Sequence, residues 1–487
     1  MANKIGAFFK RGPSAIDMTV GDPLKRILVF MIPLVIGNIF QQLYSMVDTV
    51  IVGRALGADA LSGVGSTGAV SFLILGFVSG LTHGFSVVTS QRRGARDEEG
   101  MRRSFANGIV LTLVIVSALT VVALFAARPL LSAMNTYEDY MPYALDYITT
   151  IFGGMLLSAF YNEFSSTLRA IGDSVVPLLF LIMASIINAG LDCLFVLALD
   201  MGVVGAAAAT LTANGISAVA TFIYMWVKYP VLRLKARHFI PDLKKYAQLL
   251  KLGVPMALQL SVVSIGMIFG QTALNAMDPV AITAYVAASK TDGLATAAIN
   301  SSGAAAATFV GQNYGAQKYD RIRQGTKRFF VFSACMSLAL GALVLALHRP
   351  LVMLFIKRSD TSAELFGYAL KYLAFNAGFY VLLASLCLMR SALQGMGRGT
   401  LALAAAAAEV VMRVGIAFVA LKLNDYVFVC MGNCMSWIGA NVILIPAFFI
   451  TLKKYAAAGL IDIKHLRMPD PSIAPMFGKV GGGKRRI

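Results

Sequence analysis

Charge is what this sequence has least of. Only 14% of its 487 residues are Asp, Glu, Lys or Arg, against about 25% in an ordinary soluble domain, and mean hydropathy is +0.73. That balance excludes a water-soluble globule and points to a chain built for lipid. It also lacks the marks of an enzyme. No GxxxxGK(S/T) loop is present to cradle a phosphate, so nucleotide hydrolysis is not expected to supply energy. No HExxH pair or Ser-His-Asp grouping is placed for chemistry, and no cofactor is called for. The five cysteines (Cys193, Cys335, Cys387, Cys430, Cys434) sit in apolar runs without metal spacing, and they read as small buried side chains. The first 26 residues, polar and basic, lack the apolar core of a cleavable signal. The first span is therefore expected to act as its own insertion signal, with the N-terminus in the cytoplasm.

What fills the chain is a series of long apolar runs. "ILVFMIPLVIGNIFQQLYSM" is nearly uncharged and long enough to cross a bilayer, which takes about 20 residues. The pattern predicts twelve spans, at 27–52, 60–88, 104–127, 143–168, 174–199 and 203–227, then 247–273, 281–310, 329–347, 366–390, 399–420 and 427–452. The net charge of +18 is concentrated in clusters such as "QRRGAR", "VLRLKARHF", "DRIRQGTKR" and "KVGGGKRRI". These fall in alternate connections and in the tails, as the positive-inside rule requires. The basic charge is thus assigned to a membrane face rather than to nucleic acid. Both termini are expected in the cytoplasm of a multi-pass protein of the plasma (inner) membrane.

The two halves repeat. "QRRGA" (Gln91 to Ala95) recurs as "QNYGA" (Gln312 to Ala316), and "YALDY" (Tyr143 to Tyr147) as "YALKY" (Tyr368 to Tyr372). "TLRAIG" (Thr167 to Gly172) answers "ALQGMG" (Ala392 to Gly397), and Pro33 answers Pro255. Their offsets run only from 221 to 225 residues. A common order and offset argue for a six-plus-six duplication. Six spans is an even number, so the halves share one orientation and are related by an axis along the membrane normal. The expected organisation is a cytoplasmic segment 1–26, an N-terminal six-helix bundle 27–227, a basic cytoplasmic linker 228–246 at the membrane surface, a C-terminal six-helix bundle 247–453, and a basic cytoplasmic tail 454–487. The fold class is an all-α integral membrane protein, twelve transmembrane helices in two pseudo-symmetric bundles.

Several stretches together resemble the multidrug and toxic compound extrusion (MATE) transporters. They are "IPLVIGNIFQQLYSMVDTVIVGRALGADALSGVG", "LRAIGDS", "NAGLDCLF", "ASKTDGLA" and "FVGQNYGA". The resemblance implies an antiporter that exports organic cations and other drugs in exchange for protons or sodium ions. It implies a cavity between two bundles that opens alternately to either side. A monomer in the lipid bilayer is expected.

Polar residues inside the spans locate a candidate site. Asp48 lies in an apolar run, where a carboxylate costs roughly 2.5–3.5 kcal/mol at the bilayer centre. Asn188 and Asp192 are four apart, hence on one helix face, and Thr210 lies in the next span. Asp48, Asp192 and Thr210 fall at similar depth from the outer surface, with Asn188 deeper. The resemblance implies the same four residues as its cation site. A buried acid pair takes up a proton readily, or holds sodium with amide and hydroxyl oxygens completing the shell. The sequence does not choose between the ions, and no other metal is expected. The plainer alternative is that Asp48 hydrogen-bonds a neighbouring helix. Gln41 and Tyr44 share the Asp48 face, and either line a drug cavity or pack helices. Lys290 is a third cavity candidate.

The second half differs. Its intramembrane charges, Lys290, Asp292, Glu409 and Arg413, sum to zero. Glu409 and Arg413, four apart, are expected to form a structural ion pair. His83 reads as a packing residue on a Gly-rich helix. A second reading, a flippase for lipid-linked oligosaccharide, would call for an Arg- and Lys-rich cavity, which an acidic first bundle does not suggest. A channel or receptor is disfavoured by the duplication and the buried acids.

Overall fold

A computed structural model describes residues 15–134, 136–356 and 362–460, without the side chains of residues 43, 46–50 and 58. Helix α1 (Pro23–Ser66) starts on Asp22, whose carboxylate accepts from the Lys25 amide at 2.9 Å. It turns back at Gly57, where φ is +88°, a value that favours glycine. One helical element thus contains the first span and the opening turns of the second. α2 (Gly68–Gly94) continues the second span after a break at Thr67. α3 (Glu98–Ala133) follows. α4 (Met141–Gly153) and α5 (Met155–Ile171) form one span bent by 50°. α6 (Val175–Asp192) runs directly into a π-helix, Cys193–Ala198, and α7 (Gly202–Lys228) closes the first half.

Two 3₁₀ turns, Pro230–Leu232 and Ala236–Phe239, carry the chain across. Leu232 and Leu234 are buried with Met101, Phe105 and Tyr224, so this linker is pinned to the first bundle. The second half comprises α8 (Leu243–Asn275), α9 (Pro279–Gly315), α10 (Tyr319–Ala346), the short α11 (His348–Met353), α12 (Ala363–Gly395), α13 (Gly399–Leu423) and α14 (Tyr426–Ala457).

Among the described residues, ten helices are long and apolar enough to cross a membrane, and the bent α4–α5 pair makes eleven. The twelfth is α9. It falls outside that set, yet at 37 residues it is the longest helix of the second half. It is rich in Ala, Ser, Thr and Asn because it faces protein: Ser301, Ser302 and Asn313 are fully buried. Large side chains such as Phe125, Ile186, Val411 and Val442 lie outermost, more than 65% exposed, as lipid contact requires.

The duplication extends to backbone conformation. Arg96 and Gln317, 221 apart, have φ of +56° and +57°, and Gly172 and Gly397, 225 apart, both have positive φ. Both described chain ends, the basic turn Arg92–Arg96 and the linker gather at one end of the molecule, called here the basic end.

The bundles meet along two lines: α2 against α8 and α9, and α1 against α9. On the first, Gly80 and Gly84 lie against the backbone of Ala257 and Gly253, a close approach that small residues permit. On the second, Ile27, Phe30, Met31 and Leu34 of α1 join the second bundle's core beside Phe309 and Phe329.

Candidate functional site

The first bundle holds a polar cluster in its half remote from the basic end. Asn188 and Asp192 are 1% and 0% exposed, one turn apart on α6. In the amide orientation that satisfies both its ends, Asn188 Nδ2 donates to Asp192 Oδ2 at 2.9 Å. Its Oδ1 then accepts from the Thr210 amide (3.1 Å) and hydroxyl (3.2 Å) on α7. The Tyr44 hydroxyl on α1 is 3.4 Å from Thr210 Oγ1. Three helices therefore meet in one polar chain that ends on the Asp192 carboxylate.

The π-helix begins at the residue after Asp192. Such a widened turn breaks the regular i→i−4 ladder and recurs at functional sites. It lets the chain change pitch where the acid sits.

Of the expected cation site, the structure brings together Asn188, Asp192 and Thr210, with Tyr44 as a further neighbour. Asp48 lies on α1, one turn beyond Tyr44 on the same face, and its side chain lies outside the described residues. The cavity candidates divide: Gln41 lines the central cavity, whereas Lys290 is exposed on α9 and lies outside that lining.

The central cavity, about 520 Å³, lies between the bundles, nearer the basic end. Its walls come from α1, α2, α5, α6, α8, α9 and α12. Polar lining includes Asn38, Asn162, Asn300, Gln259 and Gln394, with His83, Arg169 and Arg390. Asn38 Nδ2 donates to Ser301 Oγ at 2.8 Å, and Gln394 Nε2 to Gln259 Oε1 at 2.8 Å. His83 is thus a cavity residue rather than only a packing one. Arg169 and Arg390 were not singled out by sequence because each stands at the end of a span, where a solvated loop cation is the ordinary expectation. Their signal was the helix end itself: α5 and α12 continue past them to Ile171 and Gly395.

The cavity is sealed at the basic end. Ser90 Oγ donates to the Thr308 carbonyl (3.3 Å) and Gln91 Nε2 to the Gly395 carbonyl (2.9 Å). Residues 15–22 lie across the seam as a strap. The Met18 amide donates to Gln312 Oε1 (3.0 Å), and Gln312 Nε2 donates to the Ala170 carbonyl (2.9 Å). The Ile16 amide donates to the Gly172 carbonyl (2.9 Å), while Arg321 and Lys318 donate to carbonyls of residues 18–21.

The second bundle departs from expectation at one point. Glu409 does not pair with Arg413. It pairs with Arg390 on α12, and Arg413 donates to Asn433 Oδ1 and Ser436 Oγ, both at 3.0 Å. The reason is helix packing: α13 turns Glu409 toward α12, and one turn later the long Arg413 side chain reaches α14 instead. Asp292 accepts from the Tyr380 hydroxyl at 2.7 Å inside the same bundle.

Comparison with known proteins gives a consistent result. The MatE family model matches residues 33–194 and 255–419. The "Probable multidrug resistance protein YpnP" of Bacillus subtilis (strain 168) is 29% identical over 367 residues, 75% of this chain and 81% of its own. A crystal structure of MATE in complex with MaL6 superposes with a TM-score of 0.83 at 25% identity, covering 91% of this chain and all of its own. A MOP superfamily transporter from Pyrococcus furiosus Vc1 (DSM3638), described by "reverse polarity of binding pocket", superposes with a TM-score of 0.81 at 25% identity. It covers 92% of this chain and all of that one.

Proposed function

Because the chain belongs to the MatE family, we propose that it is a secondary active multidrug efflux antiporter, driven by inward movement of protons or sodium ions. The observation that carries this reading is the Asn188–Asp192–Thr210 cluster, a fully buried carboxylate held by an amide that in turn meets Thr210 on the next helix, with the Tyr44 hydroxyl beside it. The basic end is the cytoplasmic one in this reading, so the sealed seam closes the cavity to the cytoplasm.

A proton arriving from outside neutralises Asp192. A sodium ion takes the same place with oxygens of Asn188, Thr210 and Asp48. Either event changes what Asn188 and Tyr44 hold, and so changes how α1 and α6 meet at the π-helix. Coupling then follows if the ion binds the two states unequally. Organic cations are the substrates that the resemblance implies, entering past Gln41. No cofactor or catalytic step is involved, and the transporter works as a monomer in the plasma membrane.

One observation favours the second reading, a flippase for lipid-linked oligosaccharide: the charged side chains lining the central cavity are arginines, as a pyrophosphate would need.

The test uses proteoliposomes loaded with a fluorescent organic cation, with proton and sodium gradients imposed separately. Gradient-driven movement should be lost in Asp48→Asn and Asp192→Asn. Movement unchanged in both variants overturns the site, and movement of lipid-linked oligosaccharide with none of the cation selects the flippase.

A further inference from the structure

The central cavity has the opposite polarity from the cluster at Asp192. Its lining contains Arg169 and Arg390 and no Asp or Glu. Arg390 is matched by Glu409 behind it. Arg169 is not matched: among the described residues no carboxylate forms an ion pair with it. The nearest acid along the helix, Glu163, is 1% exposed and turned the other way. It packs on α3, where a Cβ built at Gly108 would stand 2.8 Å from its Oε1. Asp292 is engaged by Tyr380 within the second bundle. The cavity therefore carries one uncompensated positive charge.

Around that charge the wall offers donors. Ser166 and Ser174 line the cavity, and their buried hydroxyls have no protein partner. Arg390 Nε is likewise buried without one. His83 and Tyr161 also stand near Arg169, and elsewhere the wall offers an aliphatic stretch: Pro177, Leu178 and Leu181 on α6, and Leu260 on α8. A guanidinium fork beside free hydroxyls matches an oxyanion, and the aliphatic wall matches an apolar body. A volume of about 520 Å³ suits a drug-sized molecule.

We propose that the central cavity takes an amphiphilic organic anion, its carboxylate or phosphate held by Arg169 with the Ser166 and Ser174 hydroxyls, its apolar body against Leu178, Leu181 and Leu260. This rests on the efflux reading only in treating the cavity as the transport chamber, and it adds a substrate class. Asp192 is fourteen residues along α6 from Leu178, about 21 Å at 1.5 Å per residue. The coupling acid and the arginine therefore serve different ligands, so an inward cation and an outgoing anion need not compete for one charge.

The experiment compares pyrenebutyrate with its methyl ester, binding each to the purified full chain in nanodiscs of zwitterionic lipid. The wild type should bind the acid more tightly than the ester. Arg169→Gln should lower acid affinity about tenfold, the worth of one charge-assisted hydrogen bond, and leave the ester unchanged. Arg169→Lys, which keeps the charge but not the fork, should fall between. Equal affinity of the wild type for acid and ester overturns the proposal without any variant, and so does a preference that survives Arg169→Gln.

Competition separates two sources of the oxyanion. Displacement by phenyl phosphate marks a soluble solute, displacement by phosphatidate alone marks a lipid headgroup, and displacement by neither overturns oxyanion recognition. Gradient-driven movement of a fluorescent cation in proteoliposomes reads the efflux function separately. If that movement persists while no anion preference is found, the anion proposal falls and efflux stands.

Discussion

Gly94 lies directly against the main-chain carbonyl of Gln312, with no room for a Cβ between them. The contact is reciprocal, since Gly315 lies in the same way against the carbonyl of Gln91. These four residues are the two copies of one motif, 221 positions apart. The duplicated sequence therefore closes on itself at the basic end.

Gly94→Ala should wedge that seam open. Overpacking a tight contact costs about 1–3 kcal/mol, enough to shift a two-state equilibrium away from the sealed form. Spin labels placed on the basic ends of α2 and α9 should report a longer distance in the variant than in the wild type. An unchanged distance distribution would show that the seam does not govern closure.

The strap depends on Arg321, whose three nitrogens donate to the carbonyls of Met18, Val20 and Gly21 at 3.2, 3.0 and 2.6 Å. Arg321→Ala should loosen residues 16–22 by about 1–3 kcal/mol, the scale of losing charged hydrogen bonds. Hydrogen exchange should accelerate at these amides and leave the core of α12 as protected as before. Unaltered exchange in the strap would mean that the bonds from Gln312, Asn313 and Lys318 and the Ile16–Gly172 bond hold it without Arg321.

Arg390 and Glu409 are 13% and 8% exposed. Removing one partner leaves a buried charge, at a cost of about 3–5 kcal/mol. Arg390→Met should therefore lower Tm in detergent steeply, and Glu409→Leu likewise. The double variant should recover most of the loss, because a well-packed apolar pair replaces a buried ion pair at little cost. Additive losses in the double variant would argue against direct pairing.

Asp173, in the turn between α5 and α6, gives a pH dependence. Burial raises its carboxyl above the usual carboxylate value, against hydrogen bonds from Tyr229 and the Val176 and Val175 amides. The Tyr229 bond is 2.6 Å long. A raised native pKa means that the folded state holds its proton longer than the unfolded chain. Stability should then fall as pH rises from about 4 through the raised value. Asp173→Asn, which keeps an acceptor for the α6 amides, should remove that part of the slope. Thermal unfolding across acidic buffers reads it, and parallel curves for both proteins would refute the assignment.

Much of the architecture was legible from the sequence. Twelve apolar segments, their alternating charge and the repeat at a constant offset all follow from the cost of an unpaired peptide group or charge in lipid. That cost acts locally, residue by residue, so it leaves its mark in the linear pattern. The Asn188–Asp192 face was equally readable, because helix geometry alone sets it. The span at 281–310 was legible too, although α9 is rich in Ala, Ser, Thr and Asn because it faces protein.

The pairing of Glu409 with Arg390 was not legible, nor was the turning of Arg169 into the cavity while Glu163 faces α3. Helical spacing says which residues share a face. It does not say which neighbouring helix that face meets, or which of two partners a long side chain will reach. The sequence by itself determined the membrane architecture, its duplication and the buried acids, because these reflect solvation of each segment alone. Only the tertiary structure decided the polarity of the central cavity, because that depends on how faces from seven helices, distant in sequence, are turned toward one space.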